Sequence, residues 1–134
     1  TVETHLALGS LFRRRGEVDR AIRIHQNLIV RPQLTRQQRI EALVALGPDY
    51  LRAGVLDRAE RIFREVVDIG GEHITTGLRY LLDIYQQEKA WKEAIAVGGK
   101  LERVTGDKMH PVVAHHYCEL AEIASKITRS GFYF

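Results

Sequence analysis

Apolar residues recur along the chain at intervals of three and four. The pattern predicts seven helices, near residues 2–15, 18–31, 36–53, 56–69, 73–88, 91–105 and 111–127. Gly16, Gly54 and the Lys89-Ala90 step fall between successive helices, where short turns are expected. Thr35 followed by Gln38 is the sequence of a capping box opening the third helix. Asp19 and Asp57 stand in first turns, where a carboxylate meets the positive end of a helix. Pro48 falls within a helical stretch; it removes a backbone donor, at a cost of about 3 kcal/mol, and predicts a kink.

The helices come in repeated pairs. Residues 7–24, ALGSLFRRRGEVDRAIRI, match 45–62, ALGPDYLRAGVLDRAERI, at ten of eighteen positions. Leu8-Gly9 recurs as Leu46-Gly47, Phe12 as Tyr50, Gly16 as Gly54, and Asp19-Arg20-Ala21 as Asp57-Arg58-Ala59. A weaker third copy runs through residues 81–97, with Tyr85 in the aromatic place and Ala94 in the alanine place. Its pitch from the second copy is close to the roughly 34 residues of tetratricopeptide repeats. The longer first interval points to extra loop residues near Pro32–Arg36. Small residues at Gly9, Gly47, Ala21, Ala59 and Ala94 let antiparallel helices approach, while Phe12, Tyr50 and Tyr85 fill the wedge between hairpins. A single amphipathic hairpin cannot bury its apolar face alone, so neighbours must stack.

These features resemble the tetratricopeptide pattern W-x2-L-G-x2-Y with a later alanine and a closing proline. The tryptophan place holds His5, Leu43 and Leu78, and only Pro32 stands near the closing proline. The fold expected is all-α: a tetratricopeptide-repeat right-handed superhelix of antiparallel helix hairpins, with about seven helices. All 134 residues form one domain, with repeats near 2–35, 40–73 and 75–108 and a partial repeat at 114–134. The segment from Tyr117 has the pattern of a first helix, but Ser130–Phe134 replaces the second, so self-association through a truncated repeat is expected.

Composition adds limits. A single cysteine, Cys118, excludes an internal disulfide framework. The net charge is +3, with the excess in the first forty residues, where eight arginines face Glu3, Glu17 and Asp19. Such a patch could serve nucleic acid or anionic lipid, but no stacking aromatics interleave it, and a solvated helix face is the simpler reading. No stretch is long and apolar enough to span a membrane. The chain opens on Thr1 and is taken as an interior piece of a longer one.

Candidate chemistry is thin. The six histidines lack H-E-x-x-H spacing, and His115-His116 point to different faces of a helix. Cys118 lies three residues from His115 but has no evident orienting group, so buried packing is preferred to nucleophilic catalysis. Gly70-Gly71 is a helix stop, and Gly98-Gly99 a close packing site inside a helix; neither belongs to a phosphate-loop motif. No enzyme, no metal and no cofactor are expected. What remains is the groove that stacked hairpins form from their first helices. By register, Arg13, Arg14, Arg52, Arg79, Tyr80, Gln86 and Gln87 are its candidate partner-binding residues, arginine and tyrosine being common interface anchors. Tetratricopeptide domains that clamp chaperone C-termini use lysine, asparagine and arginine; Leu6, Ser10, Thr76 and Tyr80 stand at those places, which argues against that role.

One stretch carries a narrower resemblance. Residues 8–29, LGSLFRRRGEVDRAIRIHQNLI, are similar to early repeats of the lipopolysaccharide assembly protein B family, especially in the run G-E-V-D-R-A-I-R-I-H-Q. Further matches are LG-x-DY-x-x-AG at 46–54, DRAE at 57–60, LL-x-IYQ at 81–86 and AH-x-YCELA at 114–121. The resemblance ends near Ala124, and Pro48 departs from it. It implies a cytoplasmic protein-interaction adaptor, anchored in the bacterial inner membrane by an N-terminal helix. It further implies a C-terminal zinc domain and partners that include a membrane AAA+ protease and the lipid A deacetylase, whose proteolysis restrains lipopolysaccharide synthesis. The alternatives are an adaptor or assembly factor for another complex, or a basic surface binding nucleic acid or anionic lipid.

Overall fold

Each predicted hairpin turn closes by the same arrangement of backbone hydrogen bonds, seen in a computed structural model that describes residues 1–106 together with Glu119 and Glu122. Gly16, Gly54 and Lys89 take positive φ, at 85°, 78° and 57°. Their N–H groups donate to Arg13, Leu51 and Gln86 carbonyls, at 3.0, 3.1 and 3.2 Å. The next residues, Glu17, Val55 and Ala90, donate to Phe12, Tyr50 and Tyr85 at 2.8, 2.9 and 2.8 Å. This is the double bond of a Schellman motif, which satisfies carbonyls that the last helical turn leaves open. Glycine supplies the left-handed conformation freely in two turns, whereas Lys89 adopts it with a Cβ.

The elements are α1 (Val2–Arg14), α2 (Val18–Ile29), α3 (Arg36–Arg52), α4 (Leu56–Ile69), a 3-10 turn (Gly71–His73), α5 (Ile74–Gln87) and α6 (Trp91–Thr105). The fold is all-α, and among the described residues there is no strand. Six of the predicted helices appear; the fifth begins one residue late, because His73 closes the 3-10 turn instead of opening the helix. The seventh helix, the partial repeat at 114–134 and Cys118 lie outside the described residues. The capping box forms as expected: Gln38 N–H donates to Thr35 Oγ1 and Thr35 N–H to Gln38 Oε1, each at 3.1 Å. Asp19 and Asp57 lie in first turns. The third helix runs unbroken from Arg36 to Arg52 through Pro48.

The chain divides into two compact units, Thr1–Gly77 and Leu78–Phe134. In the first, α1 packs on α2, α2 on α3 and α3 on α4, and α1 also meets α3. Its core holds Ala21, Leu28, Ile40, Leu43, Leu46, Tyr50, Ala59, Phe63 and Val66. Glycine makes the close approaches: a Cβ on Gly9 would run into the His25 ring, and one on Gly47 into the Phe63 ring. The two contacts are equivalent in the repeat, since a shift of 38 residues carries 9 to 47 and 25 to 63. Arg20 lies over the Phe12 ring and Arg58 over the Tyr50 ring, at 5.6 and 5.9 Å from the centroids, again one repeat apart. The second unit buries Leu78, Leu81, Leu82, Ile84, Tyr85, Trp91, Ala94, Val97 and Leu101. Gly98 is buried inside α6, but a Cβ on Gly99 would meet only Arg103 Nη1, at 3.9 Å, so packing does not demand glycine there.

Candidate protein-interaction surface

The ends of the first helices carry the exposed polar groups that the register selects. Arg14, Arg52 and Gln87 are the last residues of α1, α3 and α5, and the repeat shifts of 38 and 35 residues superpose them in sequence. All three are exposed. Each side chain leaves its helix beside carbonyls at the negative end, where a cation is favoured and a neutral amide can still donate. Arg79 is exposed near the start of α5, and Tyr80 beside it is half-buried. Gln86 is half-buried one residue before Gln87.

Arg13 stands apart from this group. Its Nη1 donates to the Ala45 carbonyl at 2.8 Å and to Asp49 Oδ1 at 2.9 Å, and its side chain is 22% exposed. Asp49 is fully buried, and its other oxygen accepts from Nδ1 of His25, also fully buried. His25 Nε2 lies 3.4 Å from the Leu6 carbonyl oxygen. A buried charge persists in a protein interior when it is paired and hydrogen-bonded, and here α1, α2 and α3 each contribute one member. Gln26 adds a bond from α2 to the Tyr50 hydroxyl, at 2.5 Å. Tyr50 thus sits in the wedge between the first two hairpins, as its spacing predicts. Sequence reading passed over His25 and Asp49. The available signal was their place in the repeat: where His25 stands the second copy carries Phe63 and the third Gly98, and where Asp49 stands the other copies carry Leu11 and Ile84.

Several arginines of the basic N-terminal region are also engaged within the fold. Arg39 Nη2 pairs with Glu65 at 2.7 Å, and Arg36 Nη2 donates to the Ile69 carbonyl at 2.7 Å. Arg20 lies over Phe12 and 3.5 Å from Glu17. Arg14, Arg15, Arg23 and Arg31 remain on the exposed surface. Beside Arg36 a cavity of about 330 Å³ opens between the start of α3 and the loop at Gly70–His73, with Ile40 and Ile69 in its wall. Its polar rim is mixed in sign, and Gln37 already bridges it to Glu72 at 3.0 Å. Among the described residues, no three His, Cys, Asp or Glu side chains assemble as metal ligands, and no helix is long and apolar enough to cross a membrane.

Paired helices, shared glycine seats and one turn used three times are the architecture of tetratricopeptide repeats, and residues 4–38 match the family profile described as Tetratricopeptide repeat. Among known proteins, the chain is 50% identical over 121 residues to Lipopolysaccharide assembly protein B of Escherichia coli K12. It is 41% identical over 120 residues to the protein of the same name from Haemophilus influenzae. Each match covers 90% of this chain but only 31% and 30% of the relative, so the chain spans under a third of their length. The resemblance drawn from the G-E-V-D-R-A-I-R-I-H-Q run therefore extends over nine-tenths of the sequence.

Proposed function

We propose that these repeats are a protein-binding scaffold in lipopolysaccharide assembly, and that the longer protein containing them acts as an adaptor. In this reading it presents the lipid A deacetylase to a membrane AAA+ protease at the cytoplasmic face of the inner membrane. The reading rests on the exposed arginines Arg14 and Arg52 at the ends of α1 and α3, with Gln87 exposed at the equivalent end of α5, while the buried polar groups are occupied with one another. Guanidinium groups recognise carboxylates bidentately, so the complementary surface is acidic. The names of the relatives support the process, and the repeat class supports a scaffold in place of a catalyst. In this reading the repeats act without a cofactor.

The test is a pull-down from Gram-negative membrane extract, probing for the protease and the deacetylase. The wild-type chain is expected to recover at least one of them, and the Arg14→Glu/Arg52→Glu variant to recover about tenfold less. Reversal belongs at Arg14, because reversal at Arg13 would break the buried pair with Asp49. Recovery of neither protein, or equal recovery by both chains, contradicts the reading.

A further inference from the structure

We propose that α1 and α3 together seat a partner helix of fixed charge order, acidic at its start and basic at its end, lying antiparallel to both; this rests on the scaffold reading and names the partner its arginines meet. Stacking divides each first helix into sectors. Thr4, Leu8 and Leu11 of α1 are exposed, whereas their counterparts in α3, Ala42, Leu46 and Asp49, are buried beneath the first hairpin. A second sector is buried in neither helix: Glu3, Ala7, Ser10 and Arg14 in α1, and Glu41, Ala45, Pro48 and Arg52 in α3. At 3.6 residues per turn each set falls within a stripe about 60° wide. The stacking that covers the neighbouring sector of α3 leaves this stripe open.

The two stripes share one chemistry. Glutamate, alanine and arginine recur unchanged one repeat apart, and the remaining place holds Ser10 or Pro48. Each stripe runs from a carboxylate to a guanidinium about 16 Å further along the axis. Ala7 and Ala45 between them leave room for a partner's apolar side chains. Helix dipoles do not explain the order, because Glu41 lies beyond the first turn of α3, where a carboxylate gains little. Gln37 donates to Glu41 at 3.1 Å, but a carboxylate accepts several bonds and keeps capacity for a cation. A wholly acidic partner would satisfy Arg14 and Arg52 while setting like charges against Glu3 and Glu41. Helices favour acids in the first turn and bases in the last, so a complementary helix lies antiparallel to α1 and α3. The third copy carries Thr76, Tyr80, Asp83 and Gln87 at these places, which confines the charge order to α1 and α3.

The full chain carries the test, with two stapled, amphipathic synthetic helices of about 15 residues as probes. One has glutamates at its start and lysines at its end; the other has glutamates at both ends. In titration calorimetry the mixed peptide is expected to bind about tenfold more tightly, as two solvent-facing charge pairs allow, although the chain's net charge of +3 favours the acidic one. Glu3→Lys/Glu41→Lys is expected to invert that preference at unchanged helical content. A spin label at the start of the mixed peptide is expected to broaden the amide signals of Arg14 and Arg52 and to spare those of Glu3 and Glu41. No binding of either peptide, equal or reversed affinities, a preference unmoved by the glutamate variant, or broadening at the glutamate end overturns the proposal. The deacetylase and the protease take no part in this assay, so failure of the scaffold reading with them registers separately. If their binding is weakened by Arg14→Glu/Arg52→Glu but not by Glu3→Lys/Glu41→Lys, the charge-ordered seat is overturned and the scaffold stands.

Discussion

Gly47 has no side chain, and the Phe63 ring occupies the space where a Cβ would stand. Gly47→Ala should therefore force ring and helix apart and lower stability by about 1–3 kcal/mol. Gly9→Ala should do the same against His25, and urea denaturation followed by helical signal measures both. Asp49→Leu leaves a buried imidazole and a guanidinium without their carboxylate. Breaking such a pair costs about 3–5 kcal/mol, and the lower end is expected because the Arg13 side chain keeps 22% of its surface in water. Amide exchange should rise first in α1 and α2, whose contact with α3 depends on that group. The glycines were legible in the sequence because their neighbours repeat with them. The triad was not: an arginine at the end of an amphipathic helix has the pattern of a solvated one, and its partner lies 36 residues away. Only knowing which helix faces meet turns Asp49, in a leucine or isoleucine place, into a buried ligand for Arg13.

At the scale of elements, equal residues in successive repeats have unequal surroundings. Leu8 of α1 is 41% exposed, while Leu46, its counterpart in α3, is 3% exposed beneath the preceding hairpin. Leu46→Ala should cost about 2–5 kcal/mol and Leu8→Ala well under half of that, as read from urea midpoints. Pro48 lacks the N–H that would bond to the Val44 carbonyl, and its counterparts Ser10 and Asp83 can donate one. Pro48→Ala should raise stability, by up to about 3 kcal/mol where the helix relaxes fully. Helix limits were readable to within a residue or two because caps and turns are local chemistry: the Thr35–Gln38 box and Gly16 announce themselves. The turn at Lys89 was readable only by alignment with Gly16 and Gly54, since lysine carries no preference for a positive φ. The 3-10 turn at Gly71–His73 escaped notice, because two adjacent glycines mark a helix stop without fixing the conformation of the residues after it.

At the scale of the molecule, the repeat converts a short sequence pattern into recurring surface positions. Its period places Arg14, Arg52 and Gln87 at the same helix end, copy after copy. The fold and its class were legible because periodicity survives even where single motif residues are lost. The identity of a binding partner was not, since exposed arginines on a helix have the same pattern whether they meet water or a carboxylate. The measurement that bears most directly on the adaptor reading is the affinity of the purified chain for the purified deacetylase and the solubilised protease, beside Arg14→Glu/Arg52→Glu with its helical content checked. The scaffold account predicts saturable binding to at least one of them, weakened tenfold or more in the variant and reduced by salt, as an arginine–carboxylate contact requires. Binding absent for both proteins, or unchanged by the reversal at equal fold, would contradict it.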